Sequence, residues 1–117
     1  MEKNISAIHI KSNEVEWKPL IEDGIKTEGI FIKVLRYDEQ TKRSPTIILK
    51  FEPGATYPAH NHPAGEEVFV LEGEVKFGNN NLLKGDYLYT PPDGKHAVRS
   101  KTGCIMLLNI PEEVEIL

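Results

Sequence analysis

Short apolar runs separated by glycine- and proline-containing turns recur along most of this chain. The clearest runs are residues 29–37 (GIFIKVLRY), 46–51 (TIILKF) and 104–110 (CIMLLNI). Their β-branched residues are typical of strands, and the Gly, Pro and Asn residues between them favour turns. No window shows the sustained i, i+3, i+4, i+7 apolar spacing of an amphipathic helix. The pattern predicts an all-β sandwich or barrel with little or no helix.

The other predicted strands are shorter. Residues 5–10 (ISAIHI) are predicted to form an N-terminal strand, on which His9 has a structural role. The segment around Trp17 and Pro19 is expected to be an irregular connection or a strand edge, because proline lacks a backbone N–H. Further strands are predicted at residues 74–77, 86–90, 95–100 and, as a final edge strand, 114–117.

The size and composition of the chain restrict its class. A chain of 117 residues with 39% apolar residues fits one compact domain, so we expect a single domain over residues 1–117. The net charge is −4 and acids and bases are interspersed. Without a basic stripe, we expect no nucleic-acid partner.

The same sequence predicts where the protein acts. Its single cysteine, Cys104, excludes an internal disulfide framework, so a reducing cytoplasm is expected. We expect Cys104 to behave as a small buried hydrophobe. The first ten residues lack the apolar core of a secretory signal, and no stretch approaches the ~20 apolar residues of a membrane helix. We therefore expect no membrane partner.

Residues 54–73 (GATYPAHNHPAGEEVFVLEG) contain most of the side chains that could bind a metal. His60 and His62 are two residues apart, so an extended strand would direct both imidazoles to the same face. Two carboxylates, Glu66 and Glu67, follow a bend, and strand alternation alone does not decide which of them points the same way. His96, at the start of a later strand, is the natural third imidazole because antiparallel strands can bring it alongside.

The spacing of these residues resembles the two cupin motifs. Residues 54–73 match the first motif as Gly-x5-His-x-His-x3-Glu-x6-Gly, and residues 85–96 match the second, with Gly85, Pro91 and then His96. Two departures occur in the second motif, where the glycine is Gly94, one position late, and Ser100 replaces the closing asparagine. Around 66–73 and 91–104 the chain is similar to ChrR-type cupin-like domains and acetylacetone-dioxygenase-like cupins.

The resemblance implies a fold and a ligand set. The fold is the cupin double-stranded β-helix, a jelly-roll barrel. The metal ligands implied by the motifs are His60, His62, Glu66 and His96. The alternative role for Glu66 is to orient a histidine. Glu67 is then a neighbour or a solvated charge.

Three imidazoles and one carboxylate suit several divalent transition metals. Iron, zinc, nickel and manganese are the candidates, and copper is also compatible. A six-coordinate metal would keep two positions open for water, substrate or dioxygen. Tetrahedral zinc bound by all four side chains would be closed, which favours a structural or sensory role.

Three functions are compatible with this site. The first is a small metal-dependent dioxygenase that acts on a small carbonyl or enolisable compound. The second is a metal-binding sensor or regulatory module, as the ChrR resemblance implies. The third is a non-enzymatic module that binds a small molecule and uses the metal structurally.

Two further expectations concern partners and the cavity. Apolar strand faces and edges need covering, which predicts a homodimer. A small-molecule ligand is expected in the barrel. One of Tyr57, Tyr87 and Tyr89 is expected to line that cavity, because a phenol combines an apolar body with a polar tip.

Overall fold

Ten strands make up most of the computed structural model, which describes residues 3–117. The one helical element in this range is a 3-10 turn at Ser12–Glu14, so the all-β prediction is confirmed. No helix within residues 3–117 is long and apolar enough to cross a membrane. In chain order the strands are β1 (Lys18–Pro19), β2 (Ile30–Asp38), β3 (Arg43–Phe51), β4 (Thr56–His62), β5 (Glu66–Phe77), β6 (Asn80–Leu83), β7 (Tyr87–Thr90), β8 (Gly94–Arg99), β9 (Cys104–Asn109) and β10 (Glu115–Ile116).

The long strand β5 belongs to two antiparallel sheets. Its first half pairs with β9 and β7, and its second half pairs with β6 and β8. The first sheet therefore has the order β1-β2-β3-β9-β5-β7, and the second has the order β10-β4-β8-β5-β6. Two curled sheets that share a strand and enclose one core form the jelly-roll barrel that the sequence predicted.

A bulge lets β5 keep apolar side chains inside both sheets. Val68 and Val70 are buried in its first half, and Val75 and Phe77 are buried in its second half. The inward-facing residues thus have even numbers in the first half of β5 and odd numbers in its second half. The register against β9 shifts between Val70 and Glu72, where an extra residue reverses the alternation.

The predicted break at Gly73 is absent, and residues 74–77 continue β5 rather than forming a strand of their own. Gly73 marks a close backbone approach instead. Its φ is +77°, and a Cβ built there would lie 2.1 Å from the carbonyl oxygen of Gly103. Only glycine fits that position without moving the backbone.

The core lies between the two sheets. Cys104 is buried there, as predicted, and burial raises the pKa of its thiol. The largest fully buried apolar side chains come from strands of both sheets: Ile30, Val68, Val70, Val75, Phe77 and Met106.

The predicted N-terminal strand at residues 5–10 is wrong. The described residues before Ser12 pair with no strand and are exposed to solvent, His9 included. The open edge of β2 is occupied by β1 instead, with Lys18 opposite Ile32. An isolated segment has no partner for its backbone groups, so its isoleucines are not enough to make it a strand.

Candidate metal centre

Strands β4 and β8 bring three histidines together. His60 and His62 alternate along β4 and share its inner face, as predicted. In the antiparallel register His60 lies directly opposite His96 on β8. Residues 36 apart in sequence therefore become neighbours on one wall of the barrel.

The imidazoles converge through their Nε2 atoms. The Nε2 of His62 lies 3.0 Å from that of His60 and 3.1 Å from that of His96. His62 and His60 are buried, with 0% and 3% exposed, and the side chain of His96 is 6% exposed. One ligand atom from each lies within 4.8 Å of those of the other two, so the three histidines can hold a metal ion.

The hydrogen bond of His60 fixes its tautomer. Its Nδ1 lies 2.7 Å from the carbonyl oxygen of Pro58. Because a carbonyl only accepts, Nδ1 is the donor, and the neutral ring then carries a lone pair on Nε2. That lone pair faces the other two histidines, which is the arrangement a metal ligand requires.

A tight turn after β4 directs one carboxylate at the histidines. At the end of this turn, Gly65 has a φ of +83°, and its N–H donates to the carbonyl of His62. The Oε1 of Glu66 then lies 3.4 Å from the Nε2 of His62 and 3.3 Å from that of His96. Glu67 points to the outside of the sheet, where it accepts a hydrogen bond of 2.6 Å from Tyr87.

The Glu66 carboxylate is buried beside the histidines, where it could act as a further metal ligand. Glu66 is 3% exposed, and its Oε1 has no hydrogen-bond partner among the described residues. A buried carboxylate oxygen without a partner is costly, and a cation between it and the imidazoles would remove that cost. The donor set therefore fits a divalent metal, while the predicted bond from Glu66 to the metal stays a prediction.

Burial of the histidines makes the stability of the metal-free protein depend on pH. Burial lowers the pKa of His60 to about 4 and that of His62 to about 4, with the neighbouring histidines as a further cause. Between the unfolded value of ~6.5 and about 4, only the unfolded chain binds these protons, so stability falls as pH falls through this window. Urea unfolding of the metal-free protein at pH 7.5, 6 and 4.5 should show a steadily lower midpoint. A midpoint that stays constant over this range would contradict the buried, neutral state.

A cavity of about 200 Å³ is lined by His60, His62 and Glu66. Its walls are mainly apolar, with Phe51, Met106 and Leu108 among the side chains. Tyr57 lines it, and the edge of the phenol ring contacts the His60 ring at a centroid distance of 5.0 Å. This confirms the expectation for one tyrosine, while Tyr87 and Tyr89 are exposed.

Three charged residues line the same cavity and were not foreseen: Glu22, Arg43 and Glu113. Arg43 donates from Nη1 to the carbonyl of Ile110, which holds the chain after β9 against β3. Burial, and then the nearby Glu22 carboxylate, raise the pKa of Tyr57, so its phenol stays protonated. These residues lie in loops or at a strand end, where no spacing signal marks a site.

Comparison with known proteins identifies the family. A family model described as the ChrR cupin-like domain matches residues 6–111. The chain belongs to the ChrR cupin-like domain family. This match spans nearly all of the predicted domain and includes the four predicted ligands of this cupin.

One curated relative shares part of this cupin's sequence. The DNA damage-repair/toleration protein DRT102 of Arabidopsis thaliana is 34% identical over 65 residues. The aligned region covers 50% of the cupin chain and 21% of the relative, so the chain spans about a fifth of that protein's length.

Solved structures share the fold of the cupin at low sequence identity. A candidate acetylacetone dioxygenase of Methylibium petroleiphilum PM1 superimposes with a TM-score of 0.86, at 18% identity, over 100% of this chain and 85% of its own. The acetylacetone dioxygenase of Acinetobacter johnsonii superimposes with a TM-score of 0.80 at 14% identity, and the match covers 100% of this chain and 80% of that protein. The polyketide cyclase RemF of Streptomyces resistomycificus superimposes with a TM-score of 0.75 at 16% identity, and the match covers 96% of this chain and 86% of that protein. The cupin fold is thereby shown.

Proposed function

We propose that this cupin is a metal-dependent dioxygenase that acts on a small carbonyl or enolisable compound. The observation that carries the proposal is the convergence of three imidazole Nε2 atoms with the buried Glu66 Oε1, which has no hydrogen-bond partner among the described residues, beside an apolar cavity. The acetylacetone dioxygenase named among the structural neighbours supports the substrate class.

The spacing of the imidazoles supports a centre with open positions. With metal–nitrogen bonds of ~2.1 Å, two nitrogens at right angles are about 3.0 Å apart, and two at the tetrahedral angle are about 3.4 Å apart. The separations of 3.0 and 3.1 Å between the Nε2 of His62 and those of its two neighbours are nearer the first value. Iron, nickel, manganese and zinc remain the candidates for the metal.

The size and polarity of the cavity define the substrate that would fit. A volume of about 200 Å³ lies below the ~300–1,000 Å³ of common ligand pockets, so a small molecule is expected. Its apolar walls would exclude water from the site and pack against alkyl or aryl groups. The Tyr57 phenol, beside His60, would orient a polar group of the substrate by hydrogen bonding.

The chain and the metal would divide the chemistry between them. When bound, the metal would act as a Lewis acid toward the oxygen atoms of the substrate. The three histidines and Glu66 would hold it in place, and the Pro58 carbonyl would keep the Nε2 of His60 deprotonated by accepting a hydrogen bond from the Nδ1–H. No separate base is required on the protein if the substrate is already enolised.

Oxygen consumption tests the proposal. Protein loaded anaerobically with Fe²⁺ should consume dioxygen when small β-diketones or hydroxylated aromatic ketones are added, with equimolar loss of substrate. The His96→Ala variant should consume none, because its metal site is incomplete. If the wild-type protein binds one metal per chain and consumes no dioxygen across the panel, the dioxygenase proposal is wrong while the metal site stands.

A second candidate is a non-enzymatic metal-binding module with a sensory or regulatory role. The family description, a ChrR cupin-like domain, favours it. In that case the metal should be zinc in a closed, four-coordinate site that includes Glu66. X-ray absorption spectroscopy of the isolated protein distinguishes the two candidates, since it measures the number of ligands and the bond lengths.

A further inference from the structure

An apolar patch covers the outside of the first sheet at its β7 edge. Phe69 on β5 lies opposite Tyr87 on β7 and opposite Leu107 on β9. Tyr89 lies one pair further along, opposite Glu67. Directly opposite residues share a face, so these five side chains form one continuous surface, here called the outer aromatic face.

The outer aromatic face is open, while the neighbouring half of the same sheet is covered. Over β2 and β3, the Trp17 ring lies 4.6 Å from the Nζ of Lys33 and 4.9 Å from that of Lys50. Lys33 also donates to the carbonyl of Ser12. In contrast, Phe69 is 43% exposed, and Tyr87 and Tyr89 are each 55% exposed. Three large aromatic side chains thus face solvent on one patch.

The N-terminal arm, residues 3–11, has apolar side chains without an apolar partner. Ile5 is 87% exposed, Ile8 80% and Ile10 41%. The hydrogen bond recorded within residues 3–10 is local, from the N–H of Ser6 to the side chain of Asn4. The arm joins the body at the 3-10 turn Ser12–Glu14, beside the covered half of the sheet.

We propose that the outer aromatic face binds the N-terminal arm of a second copy of this chain, forming a homodimer by reciprocal exchange. Ile8 and Ile10 share one face of an extended strand and pack on the outer aromatic face of the partner copy, while the arm's backbone lies along β7. This strand pairs only with β5 in the described chain, so its other edge has free N–H and C=O groups.

The charges of the two surfaces are complementary. The arm carries Lys3 and Lys11 and has no acidic residue between them. The outer aromatic face contains the exposed carboxylate of Glu67. A basic strand over an acidic residue disfavours the alternative in which two aromatic faces meet directly, because two Glu67 carboxylates would then approach each other.

The exposed area is of the size that a stable dimer needs. At 150–250 Å² for a whole aromatic side chain, three that are about half exposed offer roughly 300 Å². Ile8 and Ile10, which are 80% and 41% exposed, add a further apolar area from the arm. Each copy contributes one arm and one face, which with their polar rim approaches the ~800 Å² per partner of standard interfaces.

Light scattering after size exclusion tests the dimer and its surfaces. Wild-type protein should have twice the chain mass of 13.2 kDa. Ile8→Glu and Phe69→Glu should each raise the dimer dissociation constant at least ~10-fold, since each puts a charge in the apolar contact. Leu83→Glu is the matched control, because Leu83 is 61% exposed on β6 of the other sheet. It should leave the mass unchanged.

Cross-linking distinguishes exchange from an arm that folds back on its own chain. Ile8→Cys and Tyr89→Cys variants, each with Cys104 buried, are mixed and oxidised. A disulfide-linked species of twice the chain mass should form, and it can form only between copies. A single-chain mass at all concentrations, a dimer that neither glutamate variant weakens, or the absence of the linked species would overturn the proposal. Metal content serves as the folding control.

Discussion

Replacing His62 with alanine is expected to abolish stoichiometric metal binding. His62 lies at the centre of the cluster, with its Nε2 within 3.4 Å of His60, His96 and Glu66. Loss of partners that merely orient a ligand costs 10–100-fold in metal affinity, so loss of a ligand itself should cost at least ~100-fold. Elemental analysis after equilibration with each candidate metal measures the effect directly.

Two further variants sharpen this experiment. His9→Ala removes an exposed histidine far from the cavity and should leave metal content unchanged. Glu66→Gln keeps the shape of the side chain but removes its charge. A loss as large as that of His62→Ala supports Glu66 as a ligand, whereas a 10–100-fold loss supports an orienting role. Full metal occupancy in His62→Ala would contradict the histidine site.

Gly73→Ala is expected to destabilise the fold by about 3 kcal/mol or more. The positive φ of Gly73 already penalises any L side chain. In addition, the new Cβ would lie 2.1 Å from the Gly103 carbonyl oxygen and 2.9 Å from the Cα of Cys104. Since both atoms belong to the backbone, β5 and the turn before β9 must separate. Urea unfolding measures the loss.

Gly85→Ala separates the two causes. Gly85 has a φ of +87°, close to that of Gly73, but a Cβ there meets no atom within 4 Å. It should therefore cost only the conformational penalty, roughly 1–2 kcal/mol. Equal losses for the two variants would show that the close contact at Gly73 contributes nothing. The comparison also tests why a glycine stands at the end of the first cupin motif.

Local spacing predicted the histidines well, because strand geometry alone places His60 and His62 on one face. The approach of His96 depends on a register between strands far apart in sequence, so strand geometry made it possible and the motif resemblance specified it. Strand alternation could not predict the direction of the Glu66 side chain. The turn that ends at Gly65, which has a positive φ, interrupts the alternation of side chains between β4 and β5. The resemblance chose Glu66, and the observed turn geometry explains its orientation.

Other features were beyond the reach of sequence patterns. The bulge between Val70 and Glu72 reverses the inward side of β5, and apolar residues on both sides concealed it. The isoleucines of residues 5–10 indicate a strand, but β1 already occupies the edge of β2. Arg43 reaches the cavity from the start of β3 through its contact with Ile110, which no periodicity reveals.

The division of β5 between two sheets has a consequence for the cooperativity of unfolding. The three histidines lie on β4 and β8 in one sheet, while Glu66 lies at the start of β5 in the other. A metal bonded to all four would cross-link the two sheets, in addition to the backbone of β5 that they already share. Opening either sheet would then require release of the metal. Protection of the backbone amides of β4 and β9 against hydrogen exchange should therefore increase together as the metal site is occupied.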